Sequence, residues 1–195
     1  MSSEHNTAII LLAAGLSRRT GTFKMALPLG NETVLERTFR IAKSVADRVI
    51  VVTGNNRERI EELDLPGVEL IHNAGYEGGM FTSVRTGIAA LDSEDFFIMP
   101  GDFPLVEQDV YIRMLEAFTQ NGSNRIVMPT FEGRTGHPVL IPGTSAQEIL
   151  NMPETATLRD FVYPANPIRV EVSTDAIFRD IDYIEDYHKI EEMLR

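Results

Sequence analysis

Short β-branched and aliphatic runs alternate, along the front of the chain, with longer segments whose apolar residues recur at helical spacing. "TAIILLAA" predicts a first strand, and "VLERTFRIAKSV" sets Leu35, Phe39 and Ala42 on one helical stripe. "RVIVVTG" predicts a second strand, near-continuously apolar as strands buried on both faces are. A charged helix around Glu58 to Leu63, a strand "VELIHN", a helix "GGMFTSVRTGIAAL", a strand "DFFIMPGD" and a helix from about Glu107 to Gln120 continue the rhythm. Such βαβ repetition predicts an α/β fold with a mostly parallel twisted sheet between two helical layers. Ligands of these sheets sit at the carboxyl ends of the strands, where the strand order reverses.

The alternation loosens after Asn121. "NRIVMPTFEGRTGHPVLIP" predicts two strands joined through "EGRTG", followed by short helices "SAQEILN" and "TATLRDFV". A strand "IRVEV", the segment "FRDID" and a helix "IEDYHKIEEML" close the chain, with Ile184, Tyr187, Ile190 and Leu194 expected inward. No Ser/Gly/Pro-rich linker interrupts the 195 residues. We expect one domain over 1–195, with residues to about 120 as its front part and about 121–195 as a lobe of the same domain.

Composition narrows the chemistry. The net charge is -11, from 29 acidic against 18 basic residues, which speaks against a broad phosphate-binding surface for nucleic acid. With no cysteine there is no disulfide framework, thiolate nucleophile or thiolate zinc site. No apolar run is long enough for a membrane span, and the "AIILLAAGL" run has an acidic leader rather than a basic one. No membrane association and a cytoplasmic location are expected.

Against that acidic background, "LLAAGLSRRTGTFK" places Arg18, Arg19 and Lys24 within seven residues, directly after a strand. Ala13, Ala14 and Gly15 leave the strand's end open to close approach by a ligand, and the turn's N–H groups with the cations form an anion cradle. Neither the dinucleotide fingerprint nor the P-loop pattern is present. On these residues alone, a strand-turn with solvated arginines is equally compatible.

Residues 12–24 resemble the pattern L-A-A-G-x-S-x-R-M-G plus lysine of the MobA-like nucleotidyltransferases, with Thr20 in the methionine position. "LPLGNETVLERT", "NAGYEGGMFTSVRTGI", "MPGDFPLV", "GHPVLI" and "RDIDYIEDY" continue the resemblance in order over nearly the whole chain. It implies a Rossmann-like nucleotidyltransferase fold of the GT-A-like type. Within the family the combination looks most like the molybdenum cofactor cytidylyltransferase branch. Ala14 favours CTP, because the guanylyltransferase branch typically carries L-A-G-G.

The resemblance implies that Leu12, Ala13, Ala14, Gly15, Arg19, Lys24, Asn73, Gly79, Ser83 and Asp102 bind the nucleotide, with Arg19, Lys24 and Asp102 catalytic. It further implies Mg2+ as cofactor, held by Asp102 and Asp182, and an acceptor, molybdopterin, beside Gly136, His137 and Pro138. Transient contact with molybdoenzymes or cofactor-insertion proteins would follow.

Each assignment has a plainer counterpart. Asp102, just past a strand and before Pro104, also suits a turn cap; Asp182 also suits the N-cap of the last helix; Gly78 and Gly79 suit an ordinary helix start. Alternation in "FRDID" puts Asp180 and Asp182 on one face, so either suits a second metal ligand. His137, between glycine and proline, is expected to position the acceptor rather than move a proton. His5, His72 and His188 show no metal-like spacing. The other functional readings are a related transferase using GTP or another phosphorylated precursor, a non-catalytic nucleotide-binding module, and an NAD enzyme.

Overall fold

A computed structural model describes residues 6–17 and 19–195. His5 and Arg18, singled out above, lie outside the described residues. Strand β1 (Thr7–Ala13) is buried along its whole length. Its side chains divide between two cores: Ile9, Leu11 and Ala13 join one layer, Ala8, Ile10 and Leu12 the other. That two-faced burial is why the run is continuously apolar rather than alternating.

A short 3-10 turn at Lys24–Ala26 follows, then a small hairpin of β2 (Pro28–Leu29) and β3 (Glu32–Thr33) that the apolar pattern does not announce. Helix α1 (Val34–Lys43) starts at a capping box. Glu36 N–H donates to Thr33 Oγ1 at 3.3 Å and Thr33 N–H to Glu36 Oε2 at 2.6 Å, an arrangement that satisfies two otherwise orphaned donors. The Leu35–Phe39–Ala42 stripe is buried as expected.

Then come β4 (Arg48–Thr53), α2 (Arg57–Glu61), β5 (Glu69–His72), α3 (Met80–Ile88), β6 (Asp95–Pro100) and α4 (Gln108–Gln120). The rear adds β7 (Val127–Phe131), β8 (Arg134–Thr135), β9 (Val139–Ile141), α5 (Ala146–Leu150), α6 (Leu158–Val162), β10 (Ile168–Glu171) and α7 (Ile184–Met193).

The main sheet runs β10-β7-β9-β6-β1-β4-β5, with β8 on β7. β1 pairs in parallel with both β4 and β6, β4 with β5, and β10 with β7. β9 is antiparallel to both β6 and β7. The α/β architecture matches the expectation, and front and rear strands share one sheet. One helical layer carries α1 and α4, the other α3, α5 and α6. The chain winds from β1 out to β5, then crosses back to β6 on the far side of β1. This makes the carboxyl ends of β1 and β6 the switch point where a ligand crevice opens.

Three expectations change. "EGRTG" closes β7 onto the two-residue β8, and β9 then continues inward between β6 and β7, so the single hairpin becomes three strands. "FRDID" is not a strand: a 3-10 turn at Asp175–Phe178 leads into bends. Ile181 N–H donates to the Asp102 carbonyl at 3.2 Å and its side chain is buried, so the segment is held by tertiary contacts rather than a ladder. Leu194 is 39% exposed, because α7 ends at Met193 before its stripe reaches that position.

At the opposite edge of the sheet, Arg48 joins the amino ends of three strands. It donates to Glu69 at 3.0 Å, Glu94 at 2.7 Å and the Ala90 carbonyl at 2.8 Å. Burial acts to raise the Glu94 carboxyl, yet Arg48 and the backbone N–H groups around it hold it at about 2.

Candidate active site

The crevice at the β1/β6 switch point holds a cavity of about 210 Å³ whose lining includes Leu12, Ala14, Gly15, Lys24, Ser83 and Asp102. β1 supplies its floor and ends in small residues, while β6 runs through Pro100 and Gly101 to deliver Asp102 beside it. Gly101 N–H donates to the Leu12 carbonyl at 3.0 Å, carrying the β1–β6 pairing up to the aspartate. Ala13 is buried beneath the floor and does not line the cavity.

The loop after β1 turns at Ser17, which has φ +49°. Thr20 is buried with its hydroxyl between the Ser17 carbonyl at 2.9 Å and the Thr22 carbonyl at 2.7 Å. A residue departing from the family pattern thus ties the loop internally. Lys24 N–H reaches Ser17 Oγ at 3.3 Å, closing the turn that presents the lysine.

Lys24 Nζ pairs with Asp102 Oδ2 and donates to the Ile181 carbonyl at 2.8 Å; Asp182 Oδ1 lies 3.8 Å away. Arg19 Nη1 pairs with Asp182 Oδ2 at 2.5 Å in a more exposed position. Both cations and both carboxylates expected from the sequence therefore meet in one network. The plainer reading of Asp182 as a helix cap does not hold: Tyr183 N–H is capped by Asp186 Oδ2 at 2.9 Å. Asp180 is near enough to raise the tension, for burial and then the charges of Asp102 and Asp182 push its carboxyl up. Burial also pushes the Asp102 carboxyl up, with Lys24 acting against it and Asp182 with it.

The far wall is the start of α3. Gly79 has φ +100° and ψ 176°, a conformation open essentially to glycine alone. Gly79 and Ser83 line the cavity. Asn73, expected at the nucleotide, does not; its side chain instead braces this wall. Asn73 Nδ2 donates to Thr82 Oγ1 at 2.8 Å and Ser83 Oγ at 3.0 Å, while Oδ1 accepts from Gly75 N–H at 2.9 Å.

A second, larger cavity of about 580 Å³ shares Gly79 and Met80 with the first. Gly136 and His137 line it, whereas Pro138 is buried behind. Gly136 has no room for a side chain: a Cβ there would lie 2.3 Å from the Ile177 carbonyl oxygen. The His137 ring packs edge-on against Phe103 at 5.3 Å, next to Asp102 in the chain. Burial pushes the imidazole down to about 4, with the charge of Arg159 adding to that and the Ile98 backbone opposing. It is neutral at pH 7. Met80, Phe81, Thr135, Arg159 and Tyr163 also line this cavity and were not foreseen. Arg159 lies on α6 and Tyr163 is the C-cap of that five-residue helix, which is too short to show a periodic signature.

Among the described residues no three His, Cys, Asp or Glu side chains cluster closely enough to hold a metal unaided. A hard divalent cation nevertheless fits the donors present, since magnesium takes few protein carboxylates and completes its shell with water and phosphate oxygens. Asp102 Oδ1 is buried without a hydrogen-bond partner, an oxygen left over once Lys24 has taken the other. Among the described residues no helix is long and apolar enough to cross a membrane.

Comparison with known proteins accords with this geometry. The chain is 29% identical over 180 residues to a molybdenum cofactor cytidylyltransferase of Escherichia coli, covering 91% of this chain and 92% of that protein. It is 29% identical over 118 residues to a probable molybdenum cofactor guanylyltransferase of Aquifex aeolicus, covering 60% and 56%. Its fold superposes with a TM-score of 0.84 on a Mycobacterium sp. strain JC1 homologue of Mycobacterium tuberculosis rv0371c, at 23% identity and 97% coverage of both chains. The MobA-like NTP transferase domain matches residues 9–169, and with Lys24, Asp102 and the β1 loop all inside that span, the chain belongs to the MobA-like family and is a nucleotidyltransferase.

Proposed function

We propose that this enzyme transfers CMP from CTP to the phosphate of molybdopterin and releases pyrophosphate. The observation that carries the reading is the Lys24–Asp102 pair at the β1/β6 switch point, inside a cavity floored by Ala14 and Gly15. The near-full-length likeness to a molybdenum cofactor cytidylyltransferase supports the choice of nucleotide and acceptor.

A phosphate monoester has its second pKa near 6 and is largely dianionic at pH 7, so it attacks without a general base. Its oxygen forms a bond to the α-phosphorus of CTP as the bond from that phosphorus to the bridging oxygen breaks, and pyrophosphate departs with the electron pair. Repulsion between the anions is the obstacle, and catalysis rests on positioning and charge cancellation. Lys24 and Arg19 hold the triphosphate and meet the charge gathering on the leaving group. Asp102 and Asp182 would hold Mg2+, which supplies further positive charge against the phosphates when bound. Gly79 and Ser83 line the ribose and base side, with Asn73 bracing them. His137, held neutral by burial, shapes the acceptor side and donates no proton at neutral pH.

The test is incubation of purified protein with Mg2+, molybdopterin and either CTP or GTP, followed by mass analysis. A CMP adduct is expected. A GMP adduct would move the enzyme to the guanylyl branch, and no adduct with either nucleotide would refute the acceptor.

A further inference from the structure

If the reaction is the one just proposed, two polyanions must meet, and the cations described so far are committed to one of them. Arg19 and Lys24 serve the triphosphate. The attacking phosphate dianion needs a counter-charge of its own, on the side of the second cavity.

That cavity is largely apolar. Of the described residues lining it, Arg159 alone carries a positive charge at neutral pH, since His137 is neutral there. Among the described residues no ion pair ties Arg159 to a carboxylate; the same holds of Arg85, Arg113 and Arg134, and what sets Arg159 apart is its place in this cavity. Its guanidinium instead lies 5.5 Å from the Tyr163 ring centroid. The Tyr163 hydroxyl in turn shares a 3.1 Å hydrogen bond with Thr135 Oγ1. A planar cation set against a hydrogen-bonded ring is steadied in direction, and although the Tyr163 hydroxyl takes one hydrogen bond from it, the five-donor fork keeps further N–H groups for a ligand. Its position is also on the reacting side. The charge of Arg159 reaches His137, and the His137 ring lies against Phe103, the residue after Asp102.

We propose that Arg159, seated on Tyr163, holds the phosphate of the acceptor and selects phosphorylated over unphosphorylated acceptors. This rests on the reading of the second cavity as the acceptor site. Arginine suits the task because its fork matches two phosphate oxygens at once. Holding the dianion there aims its oxygen past the shared Gly79–Met80 edge toward the triphosphate.

The experiment compares the full-length wild type, Arg159→Met and Arg159→Lys. Equilibrium binding is read by fluorescence anisotropy of a phosphorylated pterin and its dephosphorylated counterpart, in the presence of Mg2+ and CTP. Arg159→Met is expected to weaken the phosphorylated probe roughly 10- to 100-fold, the range for losing a hydrogen bond to a charged group. It should leave the dephosphorylated probe and the CTP affinity unchanged, and Arg159→Lys should fall between. Equal binding of the phosphorylated probe by wild type and Arg159→Met overturns the assignment. If neither pterin binds wild type, the pterin reading fails, and phenyl phosphate titrated calorimetrically then decides on Arg159. Binding to wild type that is lost in Arg159→Met upholds it; equal binding, or none, overturns it.

Discussion

Replacing Lys24 with methionine tests whether the site is an electrostatic balance rather than a set of independent side chains. The Lys24 and Asp102 side chains are only 12% and 9% exposed, and Asp102 Oδ1 has no other partner, so Lys24 neutralises a carboxylate that water barely reaches. Removing one member of a buried pair leaves an uncompensated charge and costs about 3–5 kcal/mol. Arg19 and Asp182 are 61% and 40% exposed, and losing that pair should cost no more than about 1 kcal/mol. The whole fold is stabilised by about 5–15 kcal/mol, so Lys24→Met should be plain in urea unfolding, shifting the midpoint by roughly 1–2 M at ordinary slopes.

The pH dependence fixes the cause. Burial already raises the Asp102 carboxyl and Lys24 opposes it, so without Lys24 it rises further. A carboxyl raised by folding destabilises the native state while ionised and ceases to do so when protonated. The gap between wild type and Lys24→Met should therefore narrow as pH falls from about 7.5 toward 5, and the double variant Lys24→Met/Asp102→Asn should recover much of the loss at neutral pH. A gap below about 0.5 kcal/mol, or one that does not change with pH, would refute the reasoning.

The other outcomes are more local. Glu94→Gln should destabilise by up to about 3 kcal/mol at neutral pH, the worth of a carboxyl held at about 2 rather than 4.5. That contribution is fully present above pH 4.5 and lost as pH falls toward 2, so the variant and wild type should converge in acid denaturation. His137→Gln should keep appreciable turnover with an unshifted neutral-pH profile, because the imidazole titrates only near 4; complete loss with normal substrate binding would restore a proton-transfer role. Gly79→Ala should raise the CTP KM, since φ +100° at the start of α3 is strained for any side chain, and circular dichroism should show the fold retained.

The β1/β6 crevice was legible because local signals and fold agree there. A strand buried on both faces must be apolar throughout, and the loop of small residues and cations after it allowed either an anion cradle or a solvated turn until the ordered family pattern weighed for the cradle. Asp102 could be placed at a sheet edge from "DFFIMPGDFP" because the strand ends where the charge begins. The meeting of Lys24 with Asp102 and Asp182 joins residues 78 and 158 positions apart and leaves no local trace; the family pattern, not spacing, pointed to it. Asn73 shows the limit of that transfer: its amide faces Gly75, Thr82 and Ser83 rather than the cavity. "FRDID" misled because its alternation comes from one buried isoleucine docked under Asp102, not from a ladder. Arg159 and Tyr163 were missed because a residue of a five-residue helix and the helix's C-cap, four positions apart, become chemistry only when β8 brings Thr135 alongside.

The central claim is that an aspartate-and-lysine site at the β1/β6 crevice performs the transfer. Its most direct test is the rate of pyrophosphate release from CTP by wild type and Asp102→Ala, with Mg2+ and molybdopterin, in protein shown by circular dichroism to be folded. Release matching adduct formation in wild type, and falling by orders of magnitude in the variant, is the predicted result. Near-wild-type release by folded Asp102→Ala would contradict it.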